Sequence, residues 1–319
     1  MFQINHNWYK KMFIIGVIFL LVLPLLYLFG LKDKTVTYGV ESIGELTSLQ
    51  TSSFSQKTFQ SDFEKYWNTH FGMRNFMLKT KNTLYDWINF RRMHKGYFEA
   101  IIEGKNRYLF GNYLFKSVLK NCWNLPSLEK LQQVHERAQQ RGIEIYFVLA
   151  PSKALTYYEY LPERYKYFLG TNCHTNEILA KAIRQIGIPV YDSQPMVERL
   201  HAKKEIEPFP IGGIHWNLYG AGMAVKESAE TFQWGNIHMD RIETNNQAYS
   251  SEQDLTRLQN IFFTKHNDKI FYKPIFHSDF KLSGSTVIIG DSYSNEYTLS
   301  FQNAGISEEN ALIHYANEP

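Results

Sequence analysis

Thr286-Val-Ile-Ile-Gly-Asp-Ser-Tyr293 is an apolar, β-branched run that breaks at a glycine and ends on Asp291 and Ser292. Such a run reads as a buried strand of a parallel sheet, and ligands in open α/β sheets gather at the carboxyl ends of these strands. The feature therefore points to an α/β fold with Ser292 at the sheet's active edge. Upstream, Gly212-Gly-Ile-His-Trp-Asn-Leu-Tyr-Gly220 sets His215 in a glycine-rich turn before a helix-like segment. A serine hydroxyl needs a base to take its proton, and His215 is the candidate. The backbone N–H of Ser292, at a strand-to-helix turn, is the candidate oxyanion donor. Gly-Asp-Ser by itself is also ordinary turn chemistry, and a histidine beside Trp216 is also an ordinary packing residue. The two segments gain their meaning together.

Met12 to Leu31 contains no charged residue. Roughly 20 apolar positions at about 1.5 Å rise each are enough to span a hydrocarbon core. Lys10 and Lys11 precede this run, and Lys32, Asp33 and Lys34 follow it. The charge bias favours a cytoplasmic N-terminus and an extracytoplasmic remainder, on a single-pass cell-membrane protein. An uncleaved anchor is favoured over a signal peptide because the run is long and no Ala-x-Ala-like site follows. Pro24 kinks such a helix without preventing insertion. The expected organisation is a cytoplasmic tip and transmembrane anchor over residues 1–34, a polar linker over 35–56, and the main domain over 57–319. About 285 residues remain after the anchor, enough for one large α/β domain.

The net charge is +3 and the basic residues are dispersed, with no stripe that would track nucleic acid. Cys122 and Cys173 are the only cysteines. They are too few for a disulfide scaffold and lack zinc-ligand spacing, so one bridge or two free thiols are the readings left open. No His-Glu-x-x-His-like pair is present, and neither a metal nor another cofactor is expected.

Along the chain, Phe59, Phe63, Trp67, Phe71, Leu78, Leu84, Trp87 and Ile88 recur at helical spacing, implying two helices joined around residues 70–75. Arg74 lies just past that turn. A hairpin follows over 100–110, with the turn at Glu103–Arg107, then a helix over 127–140 and a strand over 143–150. Another helix spans 174–187, a strand 188–191, and a helix 219–232. This alternation argues for βαβ units and a mostly parallel sheet. Residues 234–284 are polar, irregular and studded with aromatics, and read as an insertion. Tyr157, Tyr158, Tyr160 and Tyr165 are candidates for stacking on sugar rings, with core packing as the default. Lys153, in Pro-Ser-Lys after a strand, is either a loop residue or part of the site.

Several of these segments together resemble the SGNH-hydrolase-like domain of the alginate O-acetyltransferase group. They are Phe71-Gly-Met-Arg74, Glu103-Gly-Lys-Asn-Arg-Tyr-Leu-Phe110, Ala150-Pro-Ser-Lys-Ala-Leu-Thr-Tyr157 with Leu161-Pro162, His215-Trp-Asn-Leu-Tyr-Gly220 and Gly290-Asp-Ser-Tyr293. Their order along residues 57–305 carries the likeness. The resemblance implies a three-layer sandwich around a mostly parallel sheet. It implies Ser292 as nucleophile and His215 as base, with Asp291, Lys153, Trp216, Asn217, Tyr157 and Arg74 as possible supporting residues. It further implies an O-acetyltransferase acting on an exported or cell-surface polysaccharide, with a membrane-bound O-acyltransferase partner delivering the acetyl group. An acetylesterase and a degenerate polysaccharide-binding or scaffold protein are the alternatives.

Two departures stand out. The family pattern is Asp-x-His-Trp, whereas this chain has Gly213-Ile-His-Trp216, so the acid that should orient His215 is missing from its place. Glu207 and Asp192 are the acids considered as replacements. The stretch from Tyr293 to Pro319 is also short for the helix and final strand expected after the nucleophile. A missing edge strand or a truncated chain would account for it.

Overall fold

The computed structural model describes residues 6–22, 33–39, 73–87, 101–111, 127–169, 175–249, 251–264 and 268–314. They fall into two compact units: Met1–His94 with Arg257–Phe263, and Lys95–Thr256 with Thr264–Pro319.

The first unit contains helix α1 (His6–Val22) and helix α2 (Arg74–Trp87). Among the described residues no helix is long and apolar enough to cross a membrane. Residues 23–31 of the expected span, Pro24 included, lie outside the described residues, as do 40–56, the helix expected over 59–71 and both cysteines. Asp33 Oδ2 accepts from the N–H of Phe76 at 2.9 Å, placing a carboxylate at the positive end of α2. Tyr38 and Asn260 bond reciprocally, main chain to side-chain amide, at 2.8 Å each way. Residues read as the start of a free linker are thus hydrogen-bonded within this unit. Buried Asn82 on α2 donates to the carbonyls of Gln259 and Asn260.

The second unit opens with the expected hairpin, β1 (Ile101–Glu103) antiparallel to β2 (Leu109–Gly111). Asn106 and Arg107 carry positive φ in its turn. Helix α3 (Glu129–Gln139) ends in a reversal at Gly142, φ +70°, where the Ile143 N–H returns to the Ala138 carbonyl. This reversal consumes the start of the expected 143–150 strand, so β3 spans only Phe147–Leu149. Three helices follow: α4 (Lys153–Thr156), α5 (Glu163–Leu169) and α6 (Thr175–Gln185). The chain then returns as β4 (Val190–Asp192), parallel to β3 with Val148 opposite Tyr191. Ala180, Ile183, Ile188 and Val190 close a small core over this βαβ unit.

Helices α7 (Gln194–Lys203) and α8 (Leu218–Thr231) lead to β5 (Ile237–Asn245), α9 (Asp254–Leu258) and β6 (Phe271–Ser278). Among the described residues, 234–284 therefore hold two strands and a short helix. β5 and β6 form an antiparallel pair whose bulge at Met239/Arg241 breaks the alternation that would have marked it. β7 (Leu282–Gly290), α10 (Ser294–Asn303) and β8 (Ser307–His314) complete a second parallel unit, so the helix and strand doubted after Ser292 are both present. The described strands form four two-stranded ladders, two of them parallel, rather than one mostly parallel sheet. β7 is also less covered than its composition implies: Val287 and Ile289 are 53% and 68% exposed.

The main core joins α8 and α10 to the strands. Ala221, Ala224, Val225 and Ala229 give α8 a small-residue face. Gly222 belongs to it for a steric reason, since a Cβ there would lie 2.4 Å from the Phe276 ring of β6. Ser228 Oγ and Tyr297 Oη bond across the α8–α10 contact at 2.7 Å. Phe301 on α10 is 1% exposed and meets Trp234 edge-on. Truncation of a buried phenylalanine costs both transfer energy and a cavity, about 3–5 kcal/mol. Phe301→Ala should lower the unfolding free energy by about that amount in a denaturant titration, and a loss below about 1 kcal/mol would show that α10 is not a core helix.

Candidate active site

Ser292 sits in the turn between β7 and α10, as expected of a residue delivered by a strand. The turn is built locally. Asp291 Oδ1 accepts from the Tyr293 N–H at 2.9 Å, and the Asp291 carbonyl accepts from the Ser294 N–H at 3.0 Å and the Ser294 hydroxyl at 2.6 Å. A Cβ at position 290 would lie 2.7 Å from Ser294 Cβ, which explains the glycine before the acid. Asp291 thus shapes the turn and does not act on His215.

His215 is 8% exposed, and its Nε2 lies 2.7 Å from Ser292 Oγ. On the other edge of the ring, Nδ1 lies 2.7 Å from Asp254 Oδ2. That oxygen approaches away from the N–H direction, so the pair is a close contact rather than an aligned hydrogen bond. Asp254 is anchored by its other oxygen, which accepts from the N–H of Ile214 at 2.9 Å and of Leu255 at 2.6 Å. A carboxylate from the first turn of α9 thus faces Nδ1, where position 213 offers none. Glu207 instead meets His201 and Tyr157, and Asp192 accepts from the N–H of Gln194 and from Asn176. The sequence reading missed Asp254 because it lies within the stretch taken as an insertion. The available signal was Asp254-Leu-Thr-Arg-Leu258, an acid opening an i, i+3 apolar turn.

Tyr293 holds the pair from one side. Its hydroxyl donates to the Ile214 carbonyl at 2.9 Å, its carbonyl accepts from Trp216 Nε1 at 3.0 Å, and its ring meets the imidazole edge-on at 4.8 Å. Trp216 is accordingly a buried strut rather than a substrate contact. Asn217 is the N-cap of α8: Oδ1 accepts from the Gly220 N–H at 2.8 Å, and Nδ2 donates to the Glu207 carbonyl at 2.7 Å. A cap of this kind is worth about 1 kcal/mol. Gly220 completes the motif because a Cβ there would lie 2.6 Å from the Pro208 carbonyl oxygen.

The remaining supporting candidates lie elsewhere. Lys153 is fully buried and donates to the carbonyls of Pro210 (2.6 Å), Ile211 (3.2 Å) and Gly213 (2.5 Å), behind the histidine loop. Burial pushes its pKa down to about 7, against the pull of Asp268 and Asp254. Tyr157 is fully buried, stacked on Tyr108, and donates to Glu207, so it is a core residue rather than a sugar platform. Arg74, the first residue of α2, belongs to the other unit. A further carboxylate, Glu252, is fully buried and accepts from the N–H groups of Tyr249 and Leu218. Burial raises its pKa to about 7. Among the described residues, no group of three or more His, Cys, Asp or Glu side chains is arranged to hold a metal.

Chemically, an imidazole placed between a hydroxyl and a carboxylate can take a proton off Ser292 Oγ and have the resulting imidazolium stabilised by the nearby negative charge. A second imidazole is held between two acids nearby: His201 Nδ1 meets Glu207 and Nε2 meets Glu159, both at 2.7 Å. Burial alone would lower the His201 pKa, but bonds to Glu159 and Glu207, with their charges, outweigh it and hold it above 6.5. The stabilisation is thus fully present below pH 6.5 and lost as pH rises through the folded value. The stability advantage of wild type over His201→Gln, measured by denaturant titration, should shrink as the pH is raised step by step above 6.5. A constant difference across that range would remove the imidazolium from the account.

The family model described as "SGNH hydrolase-like domain, acetyltransferase AlgX" matches residues 101–265, which include His215 and Asp254 and stop before Ser292. Comparison with curated proteins finds no match. Among solved structures, the O-acetyltransferase domain of Pseudomonas putida AlgJ is 19% identical, with a TM-score of 0.45 over 67% of this chain and 79% of that one. Pseudomonas aeruginosa AlgX is 17% identical, also with a TM-score of 0.45, over 69% of this chain. The chain spans 56% of that protein's length. Bacillus cereus PatB1 is 9% identical, with a TM-score of 0.37 over 68% of this chain and 96% of that one. The family model covers just over half of the chain, and the protein belongs to the AlgX-type acetyltransferase family of SGNH hydrolase-like α/β domains.

Proposed function

We propose that the protein is a polysaccharide O-acetyltransferase working through a Ser292 acyl-enzyme. The observation that carries this reading is the Ser292–His215–Asp254 series, with contacts of 2.7 Å at both edges of the imidazole. As Ser292 Oγ attacks the acetyl carbonyl of the donor, His215 Nε2 takes the hydroxyl proton and returns it to the departing donor oxygen. A sugar hydroxyl then attacks the acetyl-serine, gives its proton to Nε2, and leaves as the acetyl ester while Ser292 regains its proton. Asp254 holds the imidazolium through both halves. Nothing in these steps calls for a metal or another cofactor.

The acceptor in this proposal is an exported or cell-surface polysaccharide. The acetyl donor is delivered by a membrane-bound O-acyltransferase, since an extracytoplasmic domain has no access to cytoplasmic acetyl-CoA. The apolar stretch Met12–Leu31 supports a single-pass anchor, with residues 57–319 as the extracytoplasmic domain. An acetylesterase differs only in using water as the acceptor. The binding-only alternative loses its main motive, because a carboxylate does reach His215.

The full chain in detergent should be labelled by a serine-directed sulfonyl probe and should release acetate from, or transfer it from, an activated acetyl ester. Ser292→Ala should abolish both while leaving the far-UV spectrum unchanged. Persistent labelling would place the reactive hydroxyl elsewhere. Asp254→Asn should reduce turnover by about 10³–10⁴, as loss of an orienting acid does in serine triads. Gly213→Asp should also reduce turnover, although it restores the family's sequence pattern. A Cβ at 213 would lie 2.7 Å from both the Glu252 carbonyl oxygen and Pro210 Cγ. Increased turnover in Gly213→Asp would show that Asp254 is not the working acid.

A further inference from the structure

We infer that Lys153 is a positioning residue of the acyl-transfer site, setting the place of His215 without touching it or Ser292. This rests on the reading of Ser292 and His215 given above. Residues 210–214 pass through the interior outside any helix or strand, so each buried carbonyl needs a donor from another segment. Each has one. The Ile211 carbonyl takes the Leu109 N–H at 2.9 Å besides Lys153, the Gly212 carbonyl takes the Thr256 N–H at 2.9 Å and its hydroxyl at 3.2 Å, and the Ile214 carbonyl takes the Tyr293 hydroxyl. The Pro210 and Gly213 carbonyls have Lys153 Nζ.

Lys153 Nζ therefore spans the turn from its entry at Pro210 to the residue two before His215, and in its protonated form has a donor for each of the three carbonyls. The rings of Tyr108 and Phe110 stand 5.4 and 5.5 Å from Nζ, and the side chain is fully buried. The charged groups around the turn come from separate segments: Asp268, which accepts from the Ile211 N–H at 2.8 Å, and Asp254, which accepts from the Ile214 N–H. Asp254 binds the main chain one residue before the imidazole that its second oxygen faces. A shift of the Gly213 carbonyl consequently moves His215 relative to both Asp254 and Ser292.

The test uses the full chain and the rate of inactivation by an aryl sulfonyl fluoride, which needs an activated serine but no acetyl donor, acceptor or partner. Lys153→Met keeps the length and apolar stem without any donor, whereas Lys153→Gln keeps two N–H donors on a shorter arm. The limiting inactivation rate should fall about 10- to 100-fold in Lys153→Met, in line with the cost of small misplacements at a reacting centre, and less in Lys153→Gln. The half-saturating probe concentration should change by less than about threefold, because the probe's contacts are untouched. Correctly folded variants that react within about threefold of the wild-type rate would overturn the assignment. Failure of both variants to fold would assign Lys153 to folding alone and overturn it equally. If the wild type is labelled and Ser292→Ala is not, these outcomes concern the lysine only. Labelling that survives in Ser292→Ala would overturn the acyl-enzyme reading and this inference together.

Discussion

A buried stretch of backbone without regular structure must find its hydrogen-bond partners one by one, and residues 210–214 are where this protein meets that requirement. Their carbonyls recruit the β1–β2 hairpin through Leu109, α4 through Lys153, α9 through Thr256 and the β7–α10 turn through Tyr293. Elements separated widely along the chain converge because each supplies a donor that this stretch lacks. An unpartnered buried carbonyl costs about 1–3 kcal/mol, comparable to the loss of a packed methyl group or two, so the convergence is strongly specified. The glycine at 213 lets the surrounding segments approach, and the Glu252 main chain fills the space where a Cβ would stand.

His215 and Ser292 are held by one shared residue. Tyr293 follows Ser292 directly, and its hydroxyl and carbonyl bond to the residues on either side of His215. Displacement of the β7–α10 turn therefore carries the histidine loop with it. Because the two reacting groups move together, the short Nε2–Oγ distance is less sensitive to small motions of β7, whose Val287 and Ile289 are left open to solvent.

The sequence made legible those features that depend on local chemistry. A strand breaking at glycine placed Ser292, and a glycine-rich turn placed His215. What it concealed depends on distant packing. Gly213 looked like a lost acid because only the folded chain brings in Asp254 from beyond the β5 strand. Residues 234–284 looked irregular because the bulge in β5 breaks the period on which strand recognition relies. Tyr157 and Lys153 look alike in sequence, as polar residues after a strand. In the fold, one is a stacked core ring and the other grips the histidine loop. Glu207 was considered for His215, but its partner is His201, a pairing that no spacing in the sequence could distinguish.

The origins of Ser292, His215 and Asp254 along the chain bear on the time course of folding. Each of the two contacts closes a long loop, and the last member arrives with β7, after the β5–β6 pair. Long-range contacts of this sort are made late, because the entropy of loop closure is lost before the contact rewards it. Helical signal from α3, α6 and α8 would return early in refolding, since their hydrogen bonds are local. Reactivity of the serine would lag behind it, and so would report the docking of the final parallel unit rather than the formation of secondary structure.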